Sequence, residues 1–134
     1  MHIKTSTKRA SQLYLLNTAL LATHEIDSAY WQEWQLFRLP GGITLFLIVN
    51  FVLLWIVIFG FSRVVVWAPS ARWFSFALAA AGIFAFSIHT IFLLLGHNEF
   101  RAPISIGLLG LILLVSLSQV AVVFSLSTHQ KPDE

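Results

Sequence analysis

Residues 43 to 61 read Ile-Thr-Leu-Phe-Leu-Ile-Val-Asn-Phe-Val-Leu-Leu-Trp-Ile-Val-Ile-Phe-Gly-Phe, and Asn50 is the one strongly polar side chain in the run. A helix apolar on every side has no face to turn toward water, so it is either enclosed by a large protein or surrounded by lipid. Two further runs of the same kind follow, from Trp73 to Leu95 and from Ile104 to about Leu126. With 57% hydrophobic and 10% charged residues in 134, the chain lacks the polar surface to wrap three such helices in water. Lipid must be the solvent for most of it.

A weaker span comes first, from about Ser11 to Trp31, and carries Asn17, His24, Glu25 and Asp27 in an otherwise apolar helix. Each of the four spans is about 19 to 23 residues, or roughly 28–35 Å at 1.5 Å per residue, enough to cross a hydrocarbon core of about 30 Å. Between them lie Gln32 to Gly42, ending in Pro40-Gly41-Gly42, then Ser62 to Arg72 with Pro69, then Gly96 to Pro103. These are helix-breaking compositions. The expected fold is all-α: a four-helix transmembrane bundle forming one membrane domain over residues 1–134, with helices at about 11–31, 43–61, 73–95 and 104–126.

A basic start followed by an apolar run also fits a signal peptide. No convincing small-x-small cleavage site follows Leu21 and the helix continues past it, so Met1 to Ala10 reads as a cytoplasmic tail. Four spans place both termini on one side. Lys4, Lys8, Arg9, Arg63, Arg72 and Lys131 then share that side against Arg38 and Arg101, and the positive-inside rule gives an N-in/C-in orientation. The net charge of +2 comes from few, scattered basic residues and does not indicate nucleic-acid binding. The absence of cysteine excludes disulfides, thiolate catalysis and cysteine-ligated metals.

In this orientation the acids outside the C-terminal tail fall in the outer half. His24 lies about 20 Å from the inner end of the first helix and Asp27 higher, while Asn50 sits roughly 10 Å below the outer surface. At 100° per residue, Asn17, His24, Asp27 and Trp31 are grouped on one face of the first helix, with Glu25 pointing well away from Asp27. His89 ends a small-residue stripe of Ala77, Ala81 and Ala85, which places it against protein instead of lipid. Gly107, Gly110, Ser118 and Ala121 form a comparable stripe on the last helix, the neighbour expected for it. An ionisable group at a helix centre costs about 2.5–3.5 kcal/mol on insertion scales, so such groups are expected to compensate one another or a ligand.

The expected site is therefore His24, Asp27 and His89, with Asn50, Trp31, His97 and Glu99 around it. Two chemistries suit it. As metal ligands, two imidazoles and a carboxylate can take a divalent ion such as zinc or iron, with His24 and Asp27 at i,i+3 on one helical face; a haem held by the two histidines is a further alternative. As acid–base groups, a His–Asp pair fixes the tautomer of the imidazole, as proton relays and isomerases require. Against both stands a structural role, in which the polar groups only bond helices together. His97, Glu99 and Arg101 also fit a solvated loop, and Trp31, Trp34, Trp67 and Trp73 fit interfacial anchors.

His24-Glu-Ile-Asp27, followed by Trp31 and by Glu33-Trp34-x-x-Phe37, resembles the first-helix signature of small bacterial integral membrane proteins of the HxxEE kind. That resemblance implies four helices, a bacterial inner (cytoplasmic) membrane and early acids serving as active-site groups; here Asp27 and Ser28 stand where that signature has glutamates. The architecture is also similar to the four-helix sterol-isomerase and sigma-2-receptor group, which bind amphipathic amines or sterols between helices. Partners expected are the bilayer, an amphipathic or lipid-like small molecule in a pocket facing the periplasm, and a second copy or a membrane partner subunit. The residues leave open whether the protein is a membrane enzyme, a ligand-binding protein or a structural accessory subunit. A transporter of four helices would have to dimerise, and the chain has no visible inverted repeat.

Overall fold

The computed structural model describes residues 2–97 and 101–128. Among these, five helices follow one another: α1 (His2–Tyr30), α2 (Glu33–Leu36), α3 (Ile43–Val65), α4 (Ala71–Leu94) and α5 (Pro103–Thr128). Three of them are long and apolar enough to cross a membrane, Ile43–Val65, Ala71–Leu94 and, within α5, Pro103–Leu126. At 23 or 24 residues each spans about 35 Å. The helix α1 is longer than composition suggests. It runs back through the basic segment to His2, since nothing between Ser6 and Ser11 breaks a helix. The segment expected to be a plain turn contains the single turn α2.

The buried positions explain how the helices meet. On α5 they are Ser105, Leu109, Ile112, Ser116, Gln119, Val123 and Leu126, alternating steps of four and three. On α1, Ala10, Tyr14, Asn17, His24 and Ser28 follow the same rhythm, with half-buried Leu21 completing it. On α4, Ala71, Ser75, Leu78, Gly82 and His89 do so again. A seam repeating every 3.5 residues is the pattern of a left-handed bundle with small crossing angles. The helix α5 packs on α1 and α4, and α3 packs on the same pair from the other side.

This rhythm corrects two expectations about helix faces. Ala77 and Ala81 are exposed on α4, and the buried seam runs through Ser75, Leu78 and Gly82 instead. On α5 the Gly107–Ala121 stripe turns outward, and a Cβ built at Gly107 or Gly110 would meet nothing within 4 Å. A stripe of small residues permits close approach; the 3.5-residue seam decides which face uses it.

The interior is more polar than the exterior. Asn17, His24, Ser28, Ser75, His89, Ser105, Ser116 and Gln119 are almost fully buried. Along α3, Leu47, Ile48, Phe51, Val52, Trp55, Ile56 and Phe59 are exposed. Water would penalise this arrangement and lipid favours it. Two buried layers fix the lower bundle. Tyr14, Val64, Ala71 and Leu78 form an apolar cluster, within which the Tyr14 hydroxyl donates to the Val57 carbonyl at 3.0 Å. Above it, the Asn17 amide donates to Ser116 Oγ at 3.1 Å and Gln119 Oε1 at 2.9 Å. The Gln119 amide in turn donates to the Ser75 carbonyl at 2.9 Å, so α1, α5 and α4 are tied in one plane. At Gly82, α4 packs so closely on Ser116 and Ile112 of α5 that a Cβ would collide.

Candidate functional site

One helical step of seven above Asn17 the seam of α1 reaches His24, and seven above Gly82 the seam of α4 reaches His89. Because both helices run in the same direction, the two imidazoles arrive at one level. Their ring centroids are 4.6 Å apart with the rings nearly perpendicular, at 83°, and both side chains are buried.

The third member comes from α2. Gln32 adopts a left-handed conformation (φ 55°, ψ 46°) at the end of α1 and reverses the chain. The turn that follows is pinned on both flanks. Trp34 packs on Phe46 of α3 with centroids 5.3 Å apart, and Phe37 meets Phe92 of α4 edge to face at 5.3 Å. Beneath Trp34 lies Gly42, whose positive φ of 57° suits glycine alone at low cost. With both aromatics seated, Glu33 points back into the bundle and is buried. Its Oε1 lies 3.6 Å from His89 Nε2. His24, Glu33 and His89 each offer one ligand atom, all within 4.8 Å of one another, a group that can hold a metal ion.

The tautomer of His89 follows from geometry. Its Nδ1 lies 2.8 Å from the Ala85 carbonyl, an acceptor, so Nδ1 carries the proton. Nε2 is then the ring nitrogen that faces Glu33. At 3.6 Å this contact is too long for a hydrogen bond.

The group forms one wall of a cavity of about 350 Å³ between α1, α3 and α4. Small-molecule pockets run from about 300 to 1,000 Å³, so this one suits a small ligand. Its polar lining is His24, Glu25, Glu33, His89, Asn50 and Thr18, and the rest is Leu, Val, Ala, Ile and Phe. Ala81 and Ala85 face this space, which is what their small side chains provide. Asn50 donates to the Phe46 carbonyl at 3.1 Å and its side chain also reaches the Glu25 carboxylate.

Among the residues expected from sequence, His24 and His89 come together and Asn50 lines the same cavity. Asp27 does not join them. Its Oδ1 accepts from Trp31 Nε1 at 3.2 Å, and neither residue lines the cavity. On a 100° wheel Asp27 is about 80° away from Asn17, whereas Ser28 is about 20° away and takes the buried position. His97 packs edge to face on Phe92, with centroids 5.3 Å apart, beyond the end of α4 and outside the cavity. Glu99 lies outside the described residues. Glu33, unassigned from sequence, is the carboxylate that meets the histidines. Its signal was the spacing Glu33-Trp34-x-x-Phe37, two aromatics able to anchor a turn on either side of an acid.

No curated protein and no solved structure matches the chain. The chain belongs to DUF6713, a family of unknown function whose family model matches residues 10–126.

Proposed function

We propose that the protein is a polytopic membrane protein that binds an amphipathic, lipid-like molecule between α1, α3 and α4, and acts on it at the polar end of the cavity. The observation that carries this reading is the convergence of buried His24, Glu33 and His89 on the wall of a mostly apolar 350 Å³ cavity. Interhelical packing alone is satisfied one layer below by Asn17, Ser75, Ser116 and Gln119, so it does not require a second, ionisable layer. In this reading the ligand's polar group meets His24, Glu25, Glu33 and His89, and its apolar part lies along Leu21, Leu53, Leu54, Val57 and Ile88.

We take α1 as the fourth span. Its buried face includes the polar Asn17, His24 and Ser28, and its exposed face carries Leu15, Leu16 and Ile26. That is the distribution of a helix with protein on one side and lipid on the other. Both termini then lie on the cytoplasmic side of a bacterial inner membrane and the cavity sits in the outer leaflet, because Lys8, Arg9, Arg63 and Arg72 cluster at the opposite end.

The test is binding of a dansylated decylamine and a dansylated decanol to the full chain in nanodiscs. The Leu54→Trp and Ala81→Trp variants fill the cavity, and each should weaken binding at least about tenfold, some 1.4 kcal/mol, with thermal stability retained. Equal binding by wild type and both filled variants would rule the cavity out as a ligand site.

A further inference from the structure

We propose that His24, Glu33 and His89 form a divalent transition-metal centre, with the position left open by these three ligands facing the cavity. The centre deepens the ligand-site reading above, since it supplies the group that the ligand's polar end would meet.

Three independent features point to it. The first is the hydrogen bond from His89 Nδ1 to the Ala85 carbonyl. Metal-bound imidazoles characteristically donate their second ring nitrogen to a carbonyl or carboxylate, which fixes the other nitrogen as the ligand. The second is distance. Two ligand atoms at about 2.1 Å from a tetrahedral ion lie about 3.4 Å apart. The 3.6 Å between His89 Nε2 and Glu33 Oε1, an ion-pair distance, is also close to that edge, and all three ligand atoms lie within 4.8 Å of one another. The third is composition. Glu25 lines the same cavity as Glu33, which adds a second carboxylate to the polar wall that a dication would meet.

Two imidazoles and one carboxylate are the ligand set of open catalytic zinc sites and of non-haem iron. Glu33 supplies the carboxylate from outside α1 and α4, so the site closes only when α2 folds back. All three ligands line the cavity, which gives the ion an entry path.

The experiment is titration of the chelator-stripped full chain in nanodiscs with zinc, and separately with cobalt as a spectroscopic probe. The expected result is stoichiometric uptake, a rise in Tm with zinc, and visible cobalt bands typical of a low-coordinate nitrogen–oxygen site. Glu33→Gln and His89→Asn should each weaken binding at least tenfold, about 1.4 kcal/mol, while Asp27→Asn and His97→Asn should match wild type. The absence of retained zinc and of cobalt bands in the wild type would overturn the centre, as would Glu33→Gln binding like wild type or Asp27→Asn abolishing binding. Because the wild-type titration needs no variant, a misfolded mutant cannot obscure the outcome. If metal fails to bind while the dansylated probes still bind and the cavity-filled variants do not, the centre falls and the ligand site stands.

Discussion

Replacing Gly82 by alanine tests whether α4 and α5 are held as closely as their seams require. A Cβ at position 82 collides with Ser116 Oγ and comes within 3.0 Å of Ile112 Cγ2 and 3.4 Å of Ser116 Cβ. Alanine gains about 1 kcal/mol of helix propensity over glycine. Against this, overpacking costs about 1–3 kcal/mol. Displacing the serine hydroxyl also breaks its hydrogen bonding with Asn17, worth about 0.6–1.7 kcal/mol between membrane helices. The net expectation is a loss of about 1–3 kcal/mol. Thermal unfolding in detergent, or titration with a denaturing detergent, reads the change. Ser116→Ala removes the colliding oxygen, so Gly82→Ala and Ser116→Ala combined should be less destabilised than their sum by about 1 kcal/mol or more. A stabilised Gly82→Ala protein, or strict additivity of the two changes, would refute the close contact.

Other consequences are more local. Tyr14→Phe removes the donor to the Val57 carbonyl without changing shape, and should cost about 0.5–1.5 kcal/mol in the same unfolding assay. Arg38→Gly should stabilise by about 1 kcal/mol, because Arg38 holds φ at 50° where the Leu39 amide closes α2 onto the Trp34 carbonyl. Zinc affinity should fall as pH drops, since an imidazole must lose its proton to ligate and acid competes with the ion. A zinc isotherm unchanged between neutral and mildly acidic pH would place the ion elsewhere.

Much of the fold was legible because lipid imposes a length and a composition. The boundaries of α3, α4 and α5 follow from apolar runs closed by Pro40-Gly41-Gly42, Pro69, Gly96 and Pro103. His24 and His89 stood out as ionisable side chains within such runs, and they do share a layer. What could not be read was angle to better than a residue. Asp27 and Ser28 are neighbours, and only the 3.5-residue seam of the assembled bundle decides that Ser28 is buried and Asp27 turned toward Trp31. The small-residue stripes misled for the same reason: alanines at 81 and 85 leave room for a cavity, and glycines at 107 and 110 face outward. Glu33 was hidden by topology. It lies past the end of α1, and reaches the histidines only because Gln32 reverses the chain and Trp34 and Phe37 seat α2 between α3 and α4.

Whether the α1 and α4 histidines truly meet is the point on which the site depends, and the lack of native cysteine makes it directly measurable. Cysteines introduced as the pair His24→Cys and His89→Cys, in otherwise native membranes, should be bridged rapidly by cadmium or a short thiol cross-linker. The control pair Asp27→Cys and His97→Cys should not. Equal bridging of both pairs, or none at 24 and 89, would contradict the convergence of these helices.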